Sequence, residues 1–222
     1  NAWSTELGMC IGQQKVEAKT NEITAIPELL KMLELEGCLV SIDAAGTQTK
    51  IVSAILEKNG DYLLAVKDNQ PKLCDEVQQH FQAYWENTPT DELGPVFDDQ
   101  FDKLHGRKER RRCWALAVDD SLPLCQKWNA KVIIAVQAQR TLKNKTSDYV
   151  RYYISSRELE AAAALKATRM HWSVENHLHW TLDIAFKEDQ LQARSGFAGE
   201  NLAVIRQWIL NMLKQNKSRS LS

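Results

Sequence analysis

The chain has 222 residues, 44% of them apolar and 26% charged, with a formal net charge of −1. That composition is that of a globular protein, and the length suits one large domain or a core with an inserted subdomain. It excludes a membrane span, since no stretch approaches the roughly 18 apolar residues one needs, and a near-neutral chain gives no overall electrostatic case for nucleic acid.

The first residue is Asn1 and no secretory leader is evident, as expected of a fragment or a processed product. Five scattered cysteines, without a CxxC pair, suggest free thiols in a reducing cytosol rather than a disulfide frame or a zinc site.

In chain order, residues 1–18 read as a hairpin around Gly8 and Gly12, with Val16 and Ala18 on its second strand. Asn21 is placed to cap a helix over 22–35, closed by Glu34, Glu36 and Gly37. The run CLVSID (38–43) is short, apolar and continuous, the pattern of a buried parallel strand. A helix over 47–58, a turn at Asn59-Gly60 and a second buried strand over 62–66 follow. Pro71 suits the first turn of a helix reaching Trp85. This alternation argues for a layered α/β sheet. Residues 87–95, with Pro89, Gly94 and Pro95, read as a loop. Strands are then expected at 97–101, 110–118, 131–140 and 148–155, an antiparallel insertion without long helices. A helix capped by Ser155 or Ser156 leads into a helix over 169–190, and a last helix spans 199–214 before a polar tail.

The segment RMHWSVENHLHWTLDIAFKEDQ (169–190) is the most informative. At about 100° per residue, Val174, Leu178, Leu182 and Ala185 share an apolar stripe, with Glu175 at its edge. His171, Glu175, His179 and Asp183 follow at four-residue steps and crowd one strip of surface, which suits a divalent metal or a phosphate backbone. There is no HExxH and no nearby cysteine, so the histidines are better suited to hydrogen bonds with backbone, carboxylate or phosphate. Trp172 and Trp180 fit core or interface positions better than base-stacking platforms.

Asp43 comes at the C-terminal end of a buried strand, where ligands bind in open α/β sheets. The plain alternative is a cap or turn residue before Gly46. Asp43 and Glu175 could converge on one Mg²⁺, a hard cation that prefers carboxylate, water and phosphate oxygens. Two such ions would activate an attacking water and stabilise the leaving oxygen in phosphoryl transfer. Lys67 and Asn69 follow the second buried strand and should emerge at the same sheet end as Asp43. The run Arg107-Lys108-Glu109-Arg110-Arg111-Arg112 holds five cations in six residues, either a solvated face or a phosphate contact.

These residues resemble those of the H-repeat-associated transposases of bacterial insertion sequences, in the DDE superfamily. The likeness is carried by KTNEITAIPELLKML (19–33), VSIDAAGTQ (40–48), DYLLAVKDNQPKL (61–73) and HWSVENHLHWTLDIAFKEDQ (171–190), and covers essentially the whole chain. HGRKERR (105–111) and NLAVIRQWILNMLK (201–214) add to it.

The resemblance implies an α/β, ribonuclease H-like mixed sheet flanked by helices, with an antiparallel β insertion over 88–155 in a single catalytic domain whose core is 1–87 and 156–215. It implies Mg²⁺ or Mn²⁺ as cofactor, with Asp43 and Glu175 as the second and third metal-binding, catalytic carboxylates. It further implies DNA as partner, both element terminal repeats and target, a homo-oligomer assembled on that DNA, and work at the nucleoid in a bacterial cytoplasm. Lys67, Asn69, Arg107, Arg110, His171 and His179 are the candidate DNA contacts. The chain departs from the family pattern in three places. The first aspartate should precede the opening hairpin and is not in this chain. DAAGTQ stands where DAMGCQ is usual, and His171 and Leu182 stand where many insertion-sequence relatives carry arginine and lysine. The expectation is therefore a chain inactive or nearly so in DNA cleavage, with a non-catalytic DNA-binding remnant of a decayed mobile element as the alternative.

Overall fold

The computed structural model describes residues 1–16, 22–88, 94–104, 107–143, 145–172, 174, 178, 180–187, 190 and 197–216. The chain divides into two compact units, one formed by 1–34 with 169–222 and the other by 35–168.

The larger unit is built on a six-stranded mixed sheet. Its strands are β3 (Leu39–Ile42), β4 (Asp61–Val66), β5 (Phe97–Leu104), β6 (Arg107–Ala117), β7 (Val132–Leu142) and β8 (Lys145–Ser155), in the order β3-β4-β8-β7-β6-β5. β3 and β4 are parallel and every other neighbouring pair is antiparallel. This is the mixed sheet with flanking helices expected of a ribonuclease H-like chain. The antiparallel strands expected between 88 and 155 are present, and they extend the sheet that β3 and β4 begin.

Alternation of side chains sorts the sheet into two faces. One carries Leu63, Cys113, Ala115, Ile134 and Tyr153, packed under α5 (Ala161–His171) through Ala161, Ala164 and Leu165. The other is covered by α3 (Pro71–Asn87), whose Phe81 meets Tyr152 at 6.0 Å and whose Trp85 meets Trp114 at 5.2 Å between ring centroids. A short helix, α4 (Pro123–Lys127), docks beside α3. The Glu76 carboxylate accepts from the Leu124 and Cys125 amides at 3.0 and 2.9 Å, satisfying donors that a helix start leaves orphaned. The Trp128 carbonyl after α4 accepts from the buried Tyr62 hydroxyl at 2.7 Å.

α2 (Thr49–Leu56) connects β3 to β4 and buries Ile51, Val52 and Ile55. The chain leaves it through Asn59 at φ +55°, and the Gly60 amide returns to the Ile55 carbonyl at 3.1 Å. A Cβ on Gly60 would stand 3.0 Å from the Leu35 carbonyl oxygen, so a side chain there would crowd the turn.

In the smaller unit, β1 (Ala2–Ser4) and β2 (Met9–Gly12) form the opening hairpin. With it go α1 (Glu22–Lys31), α6 (Trp180–Ile184) and α7 (Ala198–Gln215). Its core joins Cys10, Leu178, Leu182 and Leu210, with Trp3, Val174 and Phe186 against them. No described helix is long and apolar enough to cross a membrane.

Several local expectations are corrected. β2 ends at Gly12, and Val16 lies beyond it on the surface; Ala18 and Asn21 lie outside the described residues. α1 stops at Lys31, because Met32 and Leu33 bond three residues back and tighten the chain out of the helix. β3 is half-buried rather than buried, since among the described residues it borders the sheet with β4 as its one strand partner. Ser155 and Ser156 do not cap a helix. Their hydroxyls donate to the Tyr62 carbonyl and to Asp61, both at 2.8 Å, and α5 begins only at Ala161. Of the helix expected over 169–190, α5 ends at His171 and Trp172 is in a turn, while Val174 and Leu178 are helical and α6 covers Trp180–Ile184; 173, 175–177 and 179 lie outside the described residues. Of the expected stripe, Leu178 and Leu182 are buried and Val174 packs with them, but Ala185 is exposed and Phe186 takes its place.

Candidate functional site

The parallel pairing of β3 with β4 fixes where the candidate residues emerge. Ile42 is in register with Leu64, so the segments after Ile42 and after Val66 leave the same end of the sheet. Asp43 leaves β3 with its side chain exposed. Lys67 and Asn69, also exposed, leave β4 beside it, as the sequence led one to expect.

Three hydrogen bonds tie the two exits together. Asn69 Nδ2 donates to the Ala44 carbonyl at 2.5 Å and Gln70 Nε2 to the Thr47 carbonyl at 2.9 Å. The fully buried Thr47 hydroxyl donates to the Ala65 carbonyl at 2.6 Å. Sequence reasoning missed Thr47. Its signal was a small hydroxyl residue between a tight glycine turn and a helix, where a donor can replace a lost ladder bond.

Asp43 also serves as a cap. One of its oxygens, Oδ1, accepts from the Gly46 amide at 3.2 Å, closing the short 3₁₀ turn Ala44–Gly46. Among the described residues no other hydrogen bond engages the carboxylate. The cap reading and the ligand reading are thus compatible, because the turn holds Asp43 by one oxygen and leaves the other toward solvent. A hard divalent cation takes six or more oxygen ligands. Among the described residues no group of three histidine, cysteine or carboxylate side chains could hold one.

Glu175 and His179 lie outside the described residues. His171 ends α5, half-buried, its ring edge-on to Trp172 at 6.0 Å between centroids. Trp172 and Trp180 are both exposed, neither in the core.

The basic run occupies β6, and its charge is largely spoken for. Arg110 forks onto Asp99 of β5, with Nε 3.0 Å from each carboxylate oxygen and Nη2 2.5 Å from Oδ2. The Arg110 guanidinium holds the Asp99 carboxyl below the usual carboxylate range. Arg112 approaches the same carboxylate at 3.7 Å. On the opposite face Arg111 pairs with Asp102 at 3.0 Å and with Glu109, and Arg107 reaches Glu109 at 3.1 Å. Four arginines therefore stand among three carboxylates. The Asp99 face borders a cleft of about 520 Å³ between the end of α3 and the sheet, floored by Trp85, Phe97 and Trp114 and rimmed by Arg110 and Arg112.

Exposed pairs of this kind contribute little to stability, but they compete with any phosphate for the same donors. Asp99→Ala is expected to raise affinity for duplex DNA several-fold at low salt. It should also steepen the dependence of log affinity on log salt by about one per cation released. Fluorescence anisotropy across a salt series checks this, and an unchanged slope would show that Arg110 and Arg112 do not meet DNA.

The Transposase DDE domain family matches residues 1–212. The chain is 40% identical over 225 residues to "Putative transposase YncI" of Escherichia coli O157:H7, an alignment covering 98% of this chain and 56% of that protein. It is 39% identical over 226 residues to "H repeat-associated putative transposase YhhI" of Escherichia coli K12, covering 98% of this chain and 58% of the relative. A third relative, "Uncharacterized protein in dhlA 3'region" of Xanthobacter autotrophicus, is 36% identical over 157 residues, 70% of this chain and 52% of that protein. The chain spans a little over half the length of the first two. The match over nearly its whole length is decisive for family: the chain belongs to the transposase DDE domain family.

Proposed function

We propose that this chain is part of a DDE-type DNA transposase, which cuts DNA at the ends of an insertion sequence and joins the freed strand to target DNA. The observation that carries the reading is Asp43, an exposed carboxylate held by its turn at the C-terminal end of a parallel strand pair, in a chain of this family. In this reading Asp43 and Glu175 hold Mg²⁺ or Mn²⁺. Such an ion, when bound, supplies charge stabilisation at the scissile phosphate.

Lys67 and Asn69 approach the DNA backbone beside Asp43. His171 and His179 add contacts from the other carboxylate's segment. Arg107 and Arg110 reach phosphate by exchanging Glu109 and Asp99 for it. Residues 1–87 and 156–215 form the core of one catalytic domain and 88–155 its β insertion. The partners are terminal repeats and target DNA, with several copies assembled on them at the nucleoid of a bacterial cytoplasm.

The second reading is a DNA-binding remnant without catalysis. The two readings meet in one expectation for this chain. We propose that Asp43 and Glu175 do not by themselves complete the centre, so this chain should retain DNA yet nick it at background level, since a lost metal-holding group removes several kcal/mol of transition-state stabilisation. Incubation with supercoiled plasmid and Mg²⁺ or Mn²⁺, with Glu175→Gln as control, tests this. The expected result is salt-sensitive retention without nicking. Robust Glu175-dependent nicking would overturn the claim of an incomplete centre, and no retention even at low salt would overturn both readings.

A further inference from the structure

Helix α7 holds its own unit with few apolar side chains. Its inward face adds Leu210 to the core and is otherwise tied by polar contacts: Asn211 gives and takes hydrogen bonds with the Cys10 backbone of β2 at 2.8 and 2.9 Å, and Gln207 donates to the Asn1 side chain at 2.6 Å. Only Gln207 and Leu210 of the helix are buried. The opposite face turns large apolar side chains outward, with Phe197 just before the helix 74% exposed, Ile205 50%, Trp208 68% and Met212 64%, and Ile209 and Leu213 beside them. At about 100° per residue these two faces are centred roughly 180° apart.

We propose that this outward face of α7 is a self-association surface, occupied by the same face of a second copy of the chain. Three observations select that occupant. First, the six side chains expose on the order of 700–800 Å², taking about 150–250 Å² for each aromatic one, which matches the roughly 800 Å² that each partner of a standard interface contributes. A patch of that size exceeds what monomers ordinarily show. Second, Ile205, Trp208 and Met212 follow at steps of three and four, the spacing of a coiled-coil seam, whose natural complement is another copy of itself. Third, from Asn201 to Leu213 the single charged residue is Arg206, half-buried at the flank of the stripe, so the middles of two like faces meet without like charges. A polyanion finds no cation at the centre of this stripe. The inference stands on α7 alone and does not need the metal-site reading.

Sedimentation velocity of the full chain, without DNA or metal, tests it. The expected result is a dimer that dissociates in the micromolar range or below. The double variant Trp208→Glu/Met212→Glu should weaken that dimer at least about thirtyfold, because truncated central anchors carry most of an interface's energy. Its circular dichroism should match the parent's, since both positions are exposed in the protomer. Gln82→Glu, on the exposed side of α3, should leave the dimer unchanged. A chain that stays monomeric at about 100 µM, or a dimer indifferent to the double variant, would overturn the proposal.

Discussion

Phe81→Ala is expected to destabilise the six-stranded unit by about 3–5 kcal/mol, the usual cost of emptying a buried phenylalanine site. Phe81 is fully buried in the middle of α3, its ring 5.6 Å from Trp85 and 6.0 Å from Tyr152. It links helix and sheet, and Trp85 continues the contact to Trp114 at 5.2 Å. Removing the ring leaves a cavity that neither the tilted Trp85 nor the hydrogen-bonded β8 can collapse into. Because the chain comprises two compact units, amide exchange in Val132–Leu142 is a better reporter than a single melting curve. Exchange there should accelerate about a hundredfold or more. Phe81→Leu, which refills most of the volume, should cost less than about 1.5 kcal/mol. An alanine variant with unchanged exchange would mean that α3 does not anchor this face.

Asp43→Asn is expected to weaken Mn²⁺ binding by at least about tenfold while leaving the fold intact. The amide keeps an oxygen that can accept from the Gly46 amide, so the turn Ala44–Gly46 persists. What is lost is the negative charge and with it the hard anionic ligand. Metal-site mutations one shell farther out already cost 10–100-fold, roughly, so a directly ligating group should cost no less. Electron paramagnetic resonance of free Mn²⁺ in a titration measures it, with Asp68→Asn as the control: Asp68 is exposed on the same β4 exit as Lys67 and Asn69. Equal effects from the two variants would point to loose ion condensation around an acidic surface, not to a ligand.

The sequence pattern read well wherever burial set it. The strands at 38–43 and 62–66 are continuous apolar runs and both exist, as do the helices between and after them. Periodicity failed where hydrogen bonding outlasts burial. β6, β7 and β8 each run eleven residues, but their outer halves, such as Arg107–Arg112 and Lys145–Arg151, are polar and solvated. No apolar alternation marks those halves, so the strands were expected shorter. α4 was missed because five residues cannot show a helical period, and its start is stabilised by Glu76 from another element. α7 shows the reverse error. Its apolar residues look like a core stripe, yet of Ile205, Ile209, Leu210 and Leu213 only Leu210 is buried.

At the candidate site, the place of Asp43 at the end of β3 was legible because the acid closes an apolar run, and its capping of Ala44–Gly46 was the plain alternative. The neutralisation of Arg110 was not, because its partner Asp99 arrives through strand pairing across eleven residues, and composition alone gives no register.

The central claim is that Asp43 and Glu175 grip one ion, and a double-mutant cycle in Mn²⁺ affinity tests it most directly. Asp43→Asn, Glu175→Gln and the combination are titrated with Mn²⁺ by electron paramagnetic resonance. A shared ion makes the losses strongly non-additive, the pair costing little more than either variant alone. Losses that add within error, or a Glu175→Gln variant that binds Mn²⁺ like the parent, would contradict the account.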